Sequence, residues 1–260
     1  MLFQTEHLPA ILLLLAGFIF SIYKKKLTLP AALAGLCCGT LLYSAAGYTG
    51  LLLLTCFFSL GTAATSWGRR QKLLLKKPED AERRKSSQVF ANAGAATLMA
   101  ILLLLFPSFK AELLIMLAAS LASATADTLS SELGMLYGKR FYNCLSWKKE
   151  AAGLDGVISL EGTLIGAAGA ALIALITVAG IVLEFSGLLF FGVPFALSSH
   201  FILPLLAVIT FSGALGNFAD SVFGAALERR EILNNDLVNF LSTLFASGVA
   251  LVIILIYSGF

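Results

Sequence analysis

Two aspartates sit where a carboxylate is expensive. Asp127 lies in Ala124-Thr125-Ala126-Asp127-Thr128-Leu129-Ser130-Ser131-Glu132, and Asp220 in Gly216-Asn217-Phe218-Ala219-Asp220-Ser221. Both read Ala-Asp followed by a hydroxyl residue, and both interrupt strongly apolar stretches. An ionised carboxylate at mid-bilayer costs ~2.5–3.5 kcal/mol or more, so such residues face a site or a water-filled cavity. A single interfacial Asp would merely touch water; two in matching small-residue contexts point to a shared role. Helical spacing puts Ser123, Asp127, Ser130, Ser131 and Gly134 on one face. Gly213, Gly216, Asp220 and Gly224 share another, and small residues let helices approach closely. The two carboxylates are therefore expected to meet at one depth. Glu132 lies about 140° round the helix from Asp127, so it either assists or faces another side.

Further polar groups gather near the ends of other apolar stretches. Lys148, Lys149, Gly153, Asp155, Gly156, Ser159, Glu161, Gly162 and Thr163 combine charge, glycines and hydroxyls ahead of a helix. Free N–H groups at a helix start attract phosphate. A plain connector would account for the glycines, but not for polarity that continues into the helix. There is no G-x-x-x-x-G-K-(S/T) loop. Asn234, Asn235, Asp236 and Asn239 open the last apolar stretch, where capping explains one of them. Gln88 and Asn92 lie one turn apart behind Arg83, Arg84 and Lys85. Carboxylates, amides and hydroxyls with few His or Cys suit a hard cation such as Mg²⁺, which bridges carboxylates to substrate phosphates. His7 and His200 are expected at the opposite interface. Cys37, Cys38, Cys56 and Cys144 have no C-x-x-C spacing and read as small buried hydrophobes, with no disulfide framework or zinc site.

The elements that must position these groups are membrane helices. Of 260 residues, 58% are hydrophobic and 13% charged, and mean hydropathy is +0.91. A soluble domain carries about 25% charge, so a soluble fold, a disordered chain and a disulfide scaffold are excluded. A net charge of +3 is too weak to suggest nucleic acid. The pattern predicts an all-α polytopic transmembrane helix bundle forming one domain. About eight spans (range six to nine) are expected, near 8–22, 29–47, 50–67, 89–107, 111–129, 157–183, 201–226 and 237–257. The apolar segment 185–198 is too short to cross and reads as re-entrant or interfacial. Basic residues follow the first span rather than precede it, which indicates a transmembrane helix and not a cleaved signal. With eight spans, all Lys and Arg except Lys110 fall on one side. The positive-inside rule makes that side cytoplasmic, in a bacterial-type inner membrane, with both termini outside. The basic hairpin 69–85 reads first as a topology determinant and second as a contact for anionic lipid headgroups. The polar cluster then lies on the cytoplasmic face.

Five stretches carry a resemblance: Gln88-Val89-Phe90-Ala91-Asn92-Ala93-Gly94, the Asp127 segment through Gly134, Gly156-Val157-Ile158-Ser159-Leu160-Glu161-Gly162-Thr163, the Asp220 segment, and Leu233-Asn234-Asn235-Asp236-Leu237-Val238-Asn239-Phe240. In this order they resemble the integral-membrane family called domain of unknown function 92, which includes phytyl-phosphate kinases. The resemblance covers residues 83–260; residues 1–82, with the first three spans and the basic loop, are generic. It implies CTP-dependent phosphorylation of a prenyl monophosphate to the diphosphate. It further implies Asp127 and Asp220 as metal ligands assisted by Glu132, the 148–163 residues and Asn234, Asn235, Asp236 and Asn239 on the nucleotide, and Arg84, Gln88 and Asn92 at the acceptor headgroup. The chain departs from the family where Ala152-Gly153-Leu154 replaces a Pro-Gly-Thr, which removes a threonine contact to phosphate.

The expected partners are thus a prenyl phosphate, a nucleotide and membrane lipids; oligomeric state is left open. Two other readings stand beside this one. A cation- or proton-coupled transporter would use Asp127 and Asp220 as coupling sites, although their segments run parallel, whereas inverted-repeat carriers set matching segments antiparallel. A non-catalytic lipid-binding or assembly protein would need no matched aspartates.

Overall fold

The computed structural model describes residues 7–72, 83–185 and 199–258. Eight helices account for most of them: α1 (Leu8–Tyr23), α2 (Leu29–Ser66), α3 (Arg69–Lys72), α4 (Ser86–Leu105), α5 (Lys110–Tyr137), α6 (Leu160–Phe185), α7 (Ser199–Phe223) and α8 (Asn235–Ser258). Six are long and apolar enough to cross a membrane, while α1, at 16 residues, is shorter than the ~20 a crossing needs. The fold is an all-α polytopic bundle; among the described residues it carries one ribbon of two-residue strands, described below.

As a straight rod the 38 residues of α2 would span ~57 Å. They do not form one. The backbone leaves helical geometry at Ala46 and Gly47, and Gly47 takes a left-handed φ of 58°. A Cβ on Gly39 would lie 3.4 Å from Leu54 Cδ2, and Lys26 Nζ donates to Ser66 Oγ at 2.7 Å. Both contacts require α2 to fold back into two antiparallel arms, 29–46 and 48–66. These arms correspond to the second and third expected spans.

The same contacts sort the ends of the bundle. His7 Nδ1 and the Tyr43 hydroxyl share a hydrogen bond of 2.9 Å near the α2 turn. At the other end, Leu27 pairs with Arg84, Trp67 Nε1 donates to the Tyr137 hydroxyl, and Arg229 reaches Glu150. The described basic segments therefore share one end, as the charge distribution in the sequence requires. Lys76 and Lys77, residues 186–198 of the expected re-entrant segment, and the His200 side chain lie outside what is described.

The centre of the bundle is α5, which packs against α2, α4, α6, α7 and α8. Its buried run includes Leu117, Ala118, Ala119, Ala122, Ala124 and Ala126. Lipid tails are as apolar as leucine, so helices here are held by close packing rather than by transfer from water. A Cβ on Gly166 of α6 would lie 2.9 Å from the Ala126 carbonyl oxygen, and one on Gly213 of α7 would lie 2.7 Å from Ala122 Cβ. Any larger residue at either position would push α6 or α7 away from α5.

Two boundaries differ from expectation. Helix α5 continues to Tyr137, about two turns past residue 129, so Glu132 and Gly134 remain helical. Helix α6 starts at Leu160 rather than 157, because Val157–Ile158 (β2) pairs antiparallel with Tyr142–Asn143 (β1). At the C-terminal end of α7, residues Gly224–Glu228 form one turn of π-helix. Such widened turns recur at functional sites.

Candidate active site

The tight α5–α7 contact brings the two expected carboxylates together. Asp127 and Asp220 meet closely enough to share a hydrogen bond, and Ser242 Oγ on α8 donates to Asp220 Oδ2 at 3.0 Å. Both aspartates are half-buried. Ser130, one turn after Asp127, donates from Oγ to Oδ1 of Asn217, one turn before Asp220, at 3.0 Å and fixes α5 against α7. Two touching carboxylates cannot both stay charged unless a proton or a cation lies with them. Asp155 adds a third negative charge within electrostatic reach of Asp220. Among the described residues no three His, Cys, Asp or Glu side chains converge closely enough to hold an ion alone. A two-carboxylate site fits Mg²⁺ bound by one or two carboxylates, with its other oxygens from water and substrate phosphate.

Glu132 does not join this pair. Its carboxylate accepts from Lys72 Nζ at 2.6 Å, and the two side chains are only 10% and 4% exposed. Lys72 also donates to the Ala64 carbonyl at 2.6 Å. Glu132 thus faces the second arm of α2, on another side of α5 from Asp127. Its charge reaches Arg84, whose guanidinium burial pushes down from its ordinary pKa and Glu132 draws back up.

The segment between α5 and α6 is a built structure. Beyond the β1–β2 ribbon, Asn143 Oδ1 accepts from the backbone of Leu145 and Ser146 at 2.9 and 3.0 Å. Arg229 clamps it from the far side, donating to the Asp155 carbonyl at 2.6 Å and to Glu150 Oε2 at 2.7 Å. The guanidinium holds the Glu150 carboxyl below its usual range. Gly156 has φ +69°, and a Cβ there would lie 2.5 Å from the Ser221 carbonyl oxygen. Asp155 and Gly156 thus rest on the end of α7, beside the turn that carries Asp220. Lys148, Lys149 and Gly153 stay exposed on the segment.

Several expected phosphate ligands have structural duties. Ser159 Oγ accepts from Gly162 N at 3.1 Å, capping α6, and Thr163 Oγ1 donates to the Ser159 carbonyl at 3.0 Å. Glu161 Oε2 accepts from Lys139 N at 3.3 Å. Asn234 caps α8 by accepting from Leu237 N at 2.9 Å, while Asn235 is exposed. Asp236 and Asn239 follow at helical spacing, and the Asn239 carbonyl accepts from Ser242 at 3.0 Å. That face of α8 leads from the basic end to Asp220. Burial pushes the Cys144 thiol up, so it offers no thiolate nucleophile.

Arg84 stands on the other side of α5. Its backbone pairs with Lys26 and Thr28 at 3.1 Å each, and Nη2 donates to Thr65 at 3.2 Å. A Cβ on Gly61 would touch both Thr128 and the Arg84 guanidinium, at 3.4 and 3.6 Å. Arg84 and Thr128, the residue that follows Asp127, thus both lie against Gly61. Gln88 Oε1 accepts from Lys85 N at 2.9 Å, and Asn92 Nδ2 donates to the Gln88 carbonyl at 2.9 Å. Arg84, Gln88 and Asn92 line a mostly apolar cavity, together with Ser21 and Thr55.

Asn217, Ser242, Lys72 and Arg229 are the participants that spacing did not single out. Asn217 lies three residues before Asp220, and Ser242 three after Asn239, so helical periodicity could have found both. Nothing in the sequence joins Lys72 to Glu132 or Arg229 to Glu150.

Apolar crossing helices with paired carboxylates at the basic end of the bundle define an integral membrane protein with a polar site at one face. The chain belongs to the family of integral membrane proteins designated DUF92, whose model matches residues 11–247. It is 34% identical over 215 residues to an uncharacterized membrane protein of Methanocaldococcus jannaschii, covering 83% of this chain and 80% of that one. It is 29% identical over 220 residues to the chloroplastic protein VTE6 of Arabidopsis thaliana, covering 82% of this chain and 61% of the plant protein. An uncharacterized membrane protein of Synechocystis is also 29% identical over 220 residues, with 82% and 77% covered. No solved structure matches the chain.

Proposed function

We propose that the protein is a membrane-embedded kinase that transfers a phosphoryl group from CTP to a prenyl monophosphate. The observation that carries this reading is the meeting of Asp127 and Asp220 at the basic end of the bundle. The resemblance to phytyl-phosphate kinases supplies the substrate class. The basic end is taken as cytoplasmic, which gives the site access to a soluble nucleotide and to a lipid from the bilayer.

Asp127 and Asp220 would hold Mg²⁺, which neutralises charge on the phosphates of both substrates. Ser242 keeps the Asp220 carboxylate turned towards its partner. Lys148, Lys149 and the Gly153–Gly156 backbone face the nucleotide, with Asp236 and Asn239 orienting it. Arg84, Gln88 and Asn92 receive the acceptor phosphate. One acceptor oxygen attacks the terminal phosphorus of CTP, the bond to the CDP oxygen breaks, and prenyl diphosphate and CDP leave. A phosphate monoester is already mostly dianionic at neutral pH, so no protein base is required. Purified protein supplied with Mg²⁺, CTP and phytyl or farnesyl phosphate should form the diphosphate. Absence of diphosphate with every nucleoside triphosphate would overturn the reading.

One observation favours a cation- or proton-coupled transporter. Ser120, Ser123 and Ser212 have buried hydroxyls with no protein partner, and they continue from the aspartates into the bundle. That reading requires Asp127-dependent uptake of a labelled substrate into proteoliposomes.

A further inference from the structure

The first three apolar segments carry no motif, yet with α4 they enclose a cavity that Arg84 lines. Helix α1, both arms of α2 and α4 surround a cavity of about 140 Å³. Leu13 and Phe18 of α1, Leu36, Leu54 and Phe58 of α2, and Val89 of α4 form much of its wall. Its polar lining is Arg84, Gln88 and Asn92, with Ser21 and Thr55, whose hydroxyls donate to the Gly17 and Leu51 carbonyls of their own helices. Arg84 and Thr128, the neighbour of Asp127, both lie against Gly61 of α2. Two glycines, Gly17 on α1 and Gly35 on α2, line the cavity, and a Cβ at either would meet nothing within 4 Å.

A mostly apolar space lined by one guanidinium and two amides fits a lipid with an anionic head. An apolar cavity of this volume holds a benzene-sized group. It takes one chain, and only the first isoprene unit or two of it. A phospholipid brings two chains and a wider glycerol head, which this space does not match.

We propose that this cavity, built by α1, α2 and α4, is the binding site for the head-proximal isoprene units of the acceptor, with its phosphate against Arg84. The proposal rests on the prenyl-phosphate kinase reading and deepens it. The N-terminal helices are then the acceptor-binding half of the site. Chain beyond the first units lies in the bilayer, so acceptors differing only in length are used alike.

The test fills the cavity without touching the aspartates. Gly17→Leu and Gly35→Leu both project into open space on helices, and neither glycine has a positive φ. Gly248→Leu on α8 is the control, since its Cβ also meets nothing and it lies outside the cavity. Purified variants are compared with wild type by mass spectrometry of bound lipid, KM for farnesyl and phytyl phosphate, and Kd for CTP with Mg²⁺. The expected result is at least a tenfold rise in acceptor KM for both cavity variants and loss of copurifying prenyl phosphate. The CTP Kd should stay unchanged, and Gly248→Leu should match wild type. If wild type is active and both cavity variants keep its acceptor KM, the cavity assignment is overturned while the kinase reading stands. If wild type phosphorylates no prenyl phosphate yet both cavity variants lose a bound single-chain phosphate lipid, the kinase reading fails and the cavity assignment survives. Recovery of a two-chain phospholipid that Gly35→Leu displaces overturns the proposed occupant. Using variants on two helices keeps the test decisive if one of them fails to fold.

Discussion

Asp127 on α5 and Asp220 on α7 meet carboxyl to carboxyl, although they stand 93 positions apart in the sequence, and Ser242 on α8 secures the second at 3.0 Å. Like charges at contact oppose folding, and a structure retains them where something binds between them. Function and stability should therefore move in opposite directions here. Asp127→Asn and Asp220→Asn are each expected to leave the melting temperature in metal-free buffer unchanged or raised. Diphosphate formation should fall by about 10²-fold or more, since the charge that holds the cation is gone. Differential scanning fluorimetry in detergent beside an activity assay reads both.

The Lys72–Glu132 pair is expected to behave in the opposite sense. Breaking a buried pair from one side leaves an uncompensated charge and costs about 3–5 kcal/mol. Glu132→Gln should lower the melting temperature by roughly 6–20 °C. Lys72→Met combined with Glu132→Leu should recover most of that loss, because an apolar pair of similar volume carries no stranded charge. A thermal melt of the two variants separates this structural role from a metal-binding one. If Glu132→Gln melts like wild type, the buried pair is not a support of the fold.

Much of this was legible in the sequence, and the rest fails for a common reason. The aspartates, their helical faces and the sorting of basic residues follow from periodicity and from the cost of charge in a bilayer. Both are local or one-dimensional properties. The break between the arms of α2 was expected near residues 47–50 and lies at Ala46–Gly47. Contacts such as Lys72 to Glu132 and Arg229 to Glu150 join elements whose mutual placement depends on the whole bundle. The β1–β2 ribbon escaped because two-residue strands have no alternation to read, and it moved the start of α6 to Leu160. The cavity between α1, α2 and α4 escaped because each helix alone looks like any membrane span.

Gly156 tests whether the 138–159 segment is seated as described. Its φ of +69° and its contact with Ser221 leave no room for a side chain. Gly156→Ala should lift the segment off α7, and a shift of about 1 Å can cost up to 10²-fold. Nucleotide KM is expected to rise while acceptor KM stays constant. Initial-rate kinetics with each substrate varied in turn give both values.

Arg229 and Glu150 set how that segment responds to acid. The Glu150 carboxyl is held below its ordinary value of 4.5, with the Arg229 hydrogen bond as the largest cause. A depressed carboxyl stabilises above its unfolded pKa and loses that contribution as pH falls through the folded one. Hydrogen exchange across residues 141–158 should therefore show pH-independent opening from about pH 6 to pH 8, after correction for intrinsic rates, and increased opening only below about pH 4.5. Arg229→Gln should raise opening throughout that range; unchanged protection would remove the clamp from the account.

The central claim is that the Asp127–Asp220 pair is the metal-dependent centre of phosphoryl transfer. The most direct measurement is transfer of the labelled terminal phosphate of CTP to farnesyl phosphate by wild type, Asp127→Asn and Asp220→Asn in nanodiscs, with Mg²⁺ or with chelator. Labelled diphosphate is expected only from wild type with Mg²⁺, with both variants and the chelated enzyme at about 1% of that rate or less. Asp127→Asn and Asp220→Asn matching wild type, or wild-type transfer undiminished by chelator, would contradict it.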